Sequence, residues 1–247
     1  MIHKDLHYAL DPAEFSRHIG IVPDEWQADV LRYEGKRLLL NCSRQSGKST
    51  TAATKGLHTG VYRPKSLILL VSPSLRQSQE LFRKVKAGYE AMENRPALVE
   101  DNRLSLMFAN GSRIISLPSD HSTVRGFSGV TMIVEDEASQ VADEFYYAIL
   151  PMLIVNDGVF VAMTTPYGKR GHFFNEWTNG GDDWKRVEIP AARCPRISPE
   201  ELERQRRSLG SMFFRQEFNC EFVETVDQVF GYDMVQEAFD DEVKPLF

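Results

Sequence analysis

The sequence has few of the features that mark secreted, metal-binding or membrane proteins. Its three cysteines (Cys42, Cys194 and Cys220) are an odd number at scattered spacing, which gives neither a disulfide framework nor a metal-binding pattern. The longest nearly pure apolar run, 148–155, is too short to cross a bilayer and contains Pro151. The N-terminus, MIHKDLHYAL, lacks the basic and then apolar layout of a signal peptide. These absences predict a cytoplasmic protein without membrane partners.

An excess of positive charge is also missing. The 247 residues include 29 Lys and Arg against 35 Asp and Glu, a formal net charge of −6. This balance argues against a basic surface for nonspecific nucleic-acid binding. A net negative charge still allows a local basic track on one part of the surface. The basic residues of 83–86 and of 204–207 are candidates for such a track, and solvated helix faces are the alternative.

What the sequence does contain is typical of a globular protein with one large core, since 42% of the residues are apolar and 26% are charged. Helical patterns are predicted at 12–20, 24–35, 48–60 and beyond Pro73, and buried strands at 37–42, 66–71, 130–138 and 158–166. Asn110-Gly111 between alternating runs predicts an antiparallel hairpin. Strands alternating with helices predict an α/β fold with a mostly parallel sheet.

The pattern changes after about residue 182. One strand, 184–189, is followed by charged helices with aromatic faces. We interpret this part as a small C-terminal lid or linker subdomain, so the predicted division is a core at 1–182 and a subdomain at 183–247.

The loop after the first predicted strand has the composition of a phosphate-binding loop. Gly47 lets the backbone approach a phosphate closely, Lys48 would reach the β- and γ-phosphates, and the Ser49 hydroxyl would ligate Mg²⁺. The usual pattern has a glycine where this chain has Cys42, but the strand before the loop and the helix after it support the assignment. A chance Gly-Lys-Ser is the alternative. The residues of the loop predicted to bind ATP are Ser43, Arg44, Gln45, Ser46, Gly47, Lys48, Ser49 and Thr50.

Three acids, Glu135, Asp136 and Glu137, end the strand at 130–138. Hydrolysis of a nucleotide needs one carboxylate behind Mg²⁺ and another that orients or deprotonates the attacking water. Successive strand residues point to opposite faces, so the three acids cannot all address one site. We assign Asp136 to Mg²⁺ and Glu137 to the water, with Glu135 as the rival for the second role. A solvated acidic turn is the alternative.

SRQSGKS, VEDEA and TTP, in this order and at these separations, resemble the ATPase domain of phage large terminase subunits. The resemblance extends from the helix of Trp26 and Gln27 to the region of 229–230. It implies an additional-strand (ASCE, RecA-like) P-loop NTPase in which the TTP strand lies between the phosphate-loop strand and the acidic strand. Thr164 and Thr165 would then lie beside the γ-phosphate and couple hydrolysis to movement. Hydroxyls that cap the next turn are the alternative.

The same resemblance implies roles for two arginines and for an adenine contact. Arg44 would contact the γ-phosphate or sense the nucleotide state. Arg125 would enter the site of a neighbouring subunit, where an arginine contributes roughly 10³ to 10⁵ in rate, although a surface arginine is the alternative. Gln27 would read adenine, with Trp26 nearby. Asp24 and Gln27 also have the spacing of a capping box, in which Gln27 only satisfies its own helix.

The resemblance therefore implies an ATPase that uses ATP and Mg²⁺ to move double-stranded DNA into a viral capsid, in the cytoplasm of an infected bacterium. Its expected partners are DNA, further copies of the chain in a ring, the portal and the small terminase subunit. Full-length large terminases carry a nuclease domain after the ATPase, and this chain stops at Phe247, where that domain would begin. We therefore predict no DNA cleavage by this chain alone.

Two other functions compete with the motor. A superfamily-2 helicase needs a second RecA-like domain, and the 81 residues after Pro166 are too few for one, so only a helicase fragment remains. A nucleotide-gated scaffold that binds ATP without hydrolysis has no need of Glu137.

Overall fold

An eight-stranded sheet runs through the protein in the computed structural model, which describes residues 2–120, 124, 126–224 and 234. In chain order the strands are β1 (Arg37–Cys42), β2 (Leu67–Ser72), β3 (Leu98–Asp101), β4 (Ser105–Phe108), β5 (Arg113–Pro118), β6 (Met132–Asp136), β7 (Val159–Thr164) and β8 (Trp184–Ile189). Across the sheet the order is β3-β4-β5-β2-β6-β7-β1-β8. From β5 to β8 every neighbouring pair is parallel, whereas β3 and β4 pair antiparallel at one edge. The predicted mostly parallel α/β sheet with a hairpin insertion is confirmed.

Helices cover both faces of this sheet, which explains why its central strands are apolar on both sides. In β1, Leu38 and Leu40 enter one core cluster and Leu39 enters the other. The helices are α1 (Ile2–Leu10), α2 (Pro12–His18), α3 (Glu25–Arg32), α4 (Lys48–Tyr62), α5 (Leu75–Glu90), α6 (Asp143–Ile149), α7 (Gly171–Thr178) and α8 (Pro199–Asn219). Residues of α3, α4 and α5 join the first cluster, and residues of α6 and α7 join the second.

Helix boundaries follow capping residues that are visible in the sequence. Asp11 accepts a hydrogen bond from the Ala13 amide at 2.9 Å where α2 begins, and Ser74 accepts one from the Gln77 amide where α5 begins. Helix α8 is interrupted at Gly210, whose φ of 72° and ψ of 161° are not helical. No helix in the described part of the chain is long and apolar enough to cross a bilayer.

Strand β7, which carries the TTP segment, lies between β1 and β6 and pairs with both. The resemblance implied this insertion, and the structure confirms it. The consequence for the site is that the phosphate loop after β1, the acids after β6 and the threonines after β7 all lie at the carboxyl ends of neighbouring parallel strands.

Strand β8 lies just past the expected boundary between the core and the C-terminal subdomain. It pairs in parallel with β1 along its whole length, from Arg37 opposite Trp184 to Cys42 opposite Ile189. The expected boundary at 182/183 would therefore detach a strand from the sheet to which it is hydrogen-bonded. We propose instead that the core continues through β8 and that a C-terminal subdomain begins after it. Of the expected subdomain, residues 225–233 and 235–247 lie outside the described residues.

Candidate nucleotide-binding site

The loop between β1 and α4 is shaped around Gly47. Its φ of 96° is left-handed, and a Cβ at this position would lie 2.5 Å from Nε2 of Gln27. The backbone conformation therefore favours glycine here, and a larger residue would also have to displace the end of the Gln27 side chain. Helix α4 begins at the next residue, Lys48. Because the first N–H groups of a helix lack intrahelical partners, the start of α4 offers donors to an anion.

Lys48 connects the ends of the three neighbouring strands. Its ammonium donates a hydrogen bond to Oγ1 of Thr165 at 2.9 Å, just past β7. It also lies 3.8 Å from Oε1 of Glu137, just past β6. Lys48 and Thr165 are each 7% exposed. The structure thus places the predicted phosphate-binding lysine next to one predicted coupling threonine and next to the predicted water-activating acid.

Ser49 and Asp136 also meet, as the sequence predicts. The Ser49 hydroxyl donates to Oδ2 of Asp136 at 3.3 Å, and the Glu137 amide donates to the other oxygen at 3.0 Å. Burial raises the pKa of Asp136 to about 6, and the charge of Glu137 adds to that rise, while Lys48 and Lys84 oppose it. A buried carboxylate of this kind favours a cation beside it.

The oxygens of Ser49 and Asp136 are hard donors of the type that Mg²⁺ prefers. Among the described residues no group of three or more His, Cys, Asp and Glu is placed to hold a metal ion. The protein's own donors therefore fit a Mg²⁺ that takes its remaining ligands from water and phosphate, which is how this ion is commonly held in nucleotide sites.

Glu137 is turned out of the strand direction by an unusual backbone conformation. Its φ of 52° and ψ of 44° lie in the left-handed region, which few non-glycine residues adopt. Its side chain is 26% exposed and lies toward Lys48. Glu137 therefore faces the loop because the chain leaves the strand at this residue.

The rival for the second acidic role, Glu135, faces the opposite side of the sheet from Asp136. Its carboxylate is fully buried and pairs with Nε2 of His172 on α7 at 2.7 Å. The physical reason is the alternation of side chains along β6, which puts Glu135 on the face of α6 and α7 and Asp136 on the face of α4 and α5. Burial alone would lower the pKa of His172, but the carboxylates of Glu135 and Asp143 raise it above its usual range.

The two threonines of the TTP segment hold different partners. Thr165 accepts the hydrogen bond of Lys48. The Thr164 hydroxyl lies 2.6 Å from that of Ser139, in the turn that follows the acids. Both threonines therefore connect the end of β7 to neighbouring elements of the site, one to the phosphate loop and the other to the acidic turn.

Gln27 forms the capping box that its spacing from Asp24 suggested. Its Oε1 accepts a hydrogen bond from the Asp24 amide at 2.8 Å. Its Nε2 donates to the Ser46 carbonyl at 3.4 Å, so the same side chain also contacts the phosphate loop. Trp26, the other residue of α3 predicted to bind ATP, is buried and lines a separate cavity between α3 and β8.

A cavity of about 440 Å³ lies over the phosphate loop. Its lining residues are Arg44, Gln45, Gly47, Lys48, Ser49, Thr50, Gln77, Lys84, Glu137 and Gln140. Three of them, Gln77, Lys84 and Gln140, are absent from the nucleotide site that the sequence predicts. Gln77 and Lys84 are seven residues apart and so share one face of α5, a signal that the sequence does contain.

The two predicted catalytic arginines differ in what the structure describes. The guanidinium of Arg44 pairs with the carboxylate of Glu217 on α8, and the Arg44 amide donates to the Glu217 carbonyl at 3.1 Å. Ser43 and Ser46 are buried within the loop. Arg125 lies outside the described residues.

The chain matches a model of a known protein family. The family model described as the terminase large subunit, T4likevirus-type, N-terminal, matches residues 39–237. The chain is 26% identical over 258 positions to the terminase large subunit of Thermus phage G20c and 27% identical to that of Thermus virus P23-45. In both cases 90% of this chain and 53% of the relative are covered. The chain therefore spans about half the length of these curated relatives.

Solved structures show a shared fold. The large terminase ATPase domain of Thermus phage P74-26 matches with a TM-score of 0.74 and 23% identity, covering 85% of this chain and 98% of the other. The large terminase of another thermophilic bacteriophage, solved in complex with ATP-γ-S, matches with a TM-score of 0.67 and 13% identity, covering 81% of this chain and 52% of the other.

Proposed function

Because this chain belongs to the T4-like family of terminase large subunits, in their N-terminal part, we propose that it is the ATP-hydrolysing motor domain of a viral DNA-packaging terminase. It couples hydrolysis of Mg-ATP to the movement of double-stranded DNA into a capsid. The observation that carries this proposal is that Lys48, Ser49 and Glu137 line one cavity, with Asp136 hydrogen-bonded to Ser49.

Nucleotide binding is the first step. The phosphates lie on residues 43–50, with the free N–H groups at the start of α4 and the ammonium of Lys48 as donors. Ser49 and Asp136 would hold Mg²⁺, which would supply positive charge next to the phosphates. The large terminase that was solved with ATP-γ-S was also solved with ADP, and the shared fold supports a nucleotide at the corresponding loop of this chain. Gln27, which touches the loop, contributes the contact to adenine.

Hydrolysis is the second step. Glu137 accepts a hydrogen bond from a water in line with the γ-phosphate and takes its proton as the water attacks. The bond from the γ-phosphorus to the bridging oxygen breaks, and ADP leaves with that oxygen. Developing negative charge is stabilised by Lys48, by Arg44 on the loop and by Arg125 supplied from a neighbouring copy in a ring.

Coupling to movement runs through the neighbouring strand ends. Thr165 contacts Lys48 and Thr164 contacts Ser139, so a change at the γ-phosphate is passed to β7 and to the acidic turn. The C-terminal region then moves DNA. The proposed partners are double-stranded DNA, further copies of this chain, the portal and the small terminase subunit, in the cytoplasm of the bacterial host.

The experiment that tests this function is steady-state ATP hydrolysis over a series of protein concentrations, with nucleotide affinity measured in parallel. Glu137→Gln removes the base and should lower the rate at least about 10²-fold while nucleotide still binds. Arg125→Ala should abolish the rise of specific activity with concentration. Glu93→Gln, at an exposed glutamate after α5, is the matched control and should behave as wild type.

The other outcomes decide between the competing functions. A wild type that binds ATP but hydrolyses none at any concentration would support the nucleotide-gated scaffold and sink the ATPase. Activity that is independent of concentration would keep the ATPase and remove the ring. Hydrolysis that persists in Glu137→Gln would remove Glu137 from the catalytic role.

A further inference from the structure

The three basic residues at 83–86 on α5 differ in their partners. Arg83 pairs with Glu80 at 2.5 Å, and Lys86 pairs with Asp101 at 2.8 Å. Lys84 has neither a hydrogen bond nor an ion pair with any residue that the structure describes, and it is one of the residues lining the cavity over the phosphate loop. Of the three cations, the one without a protein partner in the described part of the chain is therefore the one that faces the site.

The position of Lys84 on its helix explains this orientation. Gln77 lies two turns earlier on the same face of α5 and lines the same cavity. Helix α5 packs against α4, whose first residues are Lys48 and Ser49. Gln77 and Lys84 thus form a wall of the cavity that belongs to neither the loop nor the acidic strand.

The electrostatics of the cavity agree with that placement. Burial lowers the pKa of Lys84, the negative charge of Asp136 opposes this, and the positive charge of Lys48 reinforces it. In turn Lys84 and Lys48 both act to lower the pKa of Asp136. The charges of Lys84, Lys48 and Asp136 therefore affect one another in this part of the protein.

We propose that Lys84 is a further residue of the nucleotide site, which contacts the terminal phosphate of a bound nucleoside triphosphate from the α5 side of the cavity. This inference rests on the proposed function. A lysine ammonium is a compact point charge suited to a phosphate oxygen. The ammonium of Lys84 adds positive charge within the same subunit, where negative charge develops on the transferred phosphoryl group. With this role, Lys84 is no longer a candidate for the DNA track.

The test compares nucleotides that differ in the terminal phosphate. In the full chain with Mg²⁺, Lys84→Gln should weaken binding of ATP-γ-S at least about tenfold, because a charge-assisted hydrogen bond is lost. Binding of ADP should change by less than about twofold. Lys84→Arg should keep most of the affinity for ATP-γ-S. The matched control is Lys86→Gln, which removes one positive charge from the same helix where it pairs with Asp101, and it should leave both nucleotide affinities unchanged.

Affinity for a short DNA duplex, measured on the same variants, separates the rival role. Unchanged ATP-γ-S binding with weakened DNA binding in Lys84→Gln would overturn the inference and return Lys84 to a DNA track. Equal losses for ADP and ATP-γ-S would overturn the contact to the terminal phosphate. A wild type that binds neither nucleotide would overturn the proposed function, and this inference with it. If wild type binds ATP-γ-S and Lys84→Gln binds it equally well, only the inference fails.

Discussion

Asp136 carries its carboxylate at a place where burial disfavours the charged form. Its pKa rises from 3.8 to about 6, chiefly because of burial and then because of Glu137. Between these values the folded protein binds a proton that the unfolded chain has already lost. The extra proton stabilises the folded protein. This stabilisation is complete below about pH 3.8 and is lost as the pH rises through about 6.

Replacing this carboxylate with an amide should therefore stabilise the metal-free protein at neutral pH. The difference between 3.8 and about 6 corresponds to up to about 3 kcal/mol. We expect the free energy of unfolding of Asp136→Asn to exceed that of wild type by an amount approaching this value at about pH 7.5, and the gap to shrink toward about pH 4. Urea unfolding at several pH values measures it, with Asp182→Asn, an exposed aspartate, as the control. An unchanged gap across the pH range would contradict the buried-charge explanation.

At the scale of single residues, the sequence predicts the groups that lie close together along the chain or that belong to a motif. Ser49 lies next to Asp136, and Lys48 lies next to Glu137; these residues belong to the motifs that the sequence shows. Alternation in a strand predicts that one acid of the three faces away, but it cannot name the partner of that acid. His172 meets Glu135 only because α7 packs on the far face of the sheet, and nothing local in the sequence records that packing.

The end of α3 is completed by a side chain from another helix. The last carbonyl groups of a helix have no intrahelical partner. Here the ammonium of Lys55, on α4, donates to the carbonyls of Val30 at 3.1 Å, Leu31 at 2.9 Å and Tyr33 at 2.7 Å. Burial lowers the pKa of Lys55 to about 8. Lys55 therefore joins two helices through one group.

Lys55→Met keeps the length of the side chain and removes its three hydrogen bonds. We expect the free energy of unfolding to fall by about 1–3 kcal/mol, because buried carbonyls lose their donor. Chemical denaturation at neutral pH measures the loss. Lys185→Met, at an exposed lysine of β8, is the matched control and should be close to wild type. Equal stability of the two variants would mean that water replaces Lys55 at no cost.

At the scale of elements, apolar runs and helix caps are enough to predict the central strands and helices α2 to α5. Three helices, α1, α6 and α7, and the strand β3 were not predicted. Strand β3 is largely exposed and ends in Glu100 and Asp101, so it shows no apolar alternation. Strand β8 was found, but its pairing was not, because a hydrogen bond to a strand far earlier in the chain leaves no local pattern.

Across the whole molecule, α8 is tied to the phosphate loop. Arg44 and Glu217 meet through both side chain and backbone, and the Asn41 amide group donates to the Cys220 carbonyl at 2.8 Å. The side chain of Arg44 is 68% exposed, and such ion pairs contribute at most about 1 kcal/mol. Glu217 would therefore compete with a bound phosphate for Arg44, and this competition would cost the phosphate contact at most about 1 kcal/mol.

Removing that competitor should favour the nucleotide. We expect Glu217→Gln to tighten binding of ATP-γ-S by up to about fivefold, with the unfolding free energy within about 1 kcal/mol of wild type. Calorimetric titration gives the affinity. Glu203→Gln, at an exposed glutamate of the same helix, should leave the affinity unchanged. If Arg44→Gln weakens binding while Glu217→Gln has no effect, Arg44 binds phosphate without being restrained by α8.

The order of the strands is the part of the fold that local sequence patterns could not predict. Composition and spacing predicted a mostly parallel sheet, and only the resemblance put β7 between β6 and β1. Long-range pairing depends on how the connections cross the sheet, and short stretches of sequence do not encode that.

The strand order also determines when, during synthesis of the chain, each strand can pair with its neighbours. Strand β1 ends at Cys42 and has two hydrogen-bonded neighbours, β7 and β8, of which the earlier begins only at Val159. At the usual pace of a ribosome, about 5–20 residues per second, β1 and its loop would wait on the order of ten seconds for a first partner. The candidate nucleotide site is thus among the last parts of the sheet to close, and we expect a nascent chain to lack the complete proposed ATP site until nearly all of its core has been synthesised.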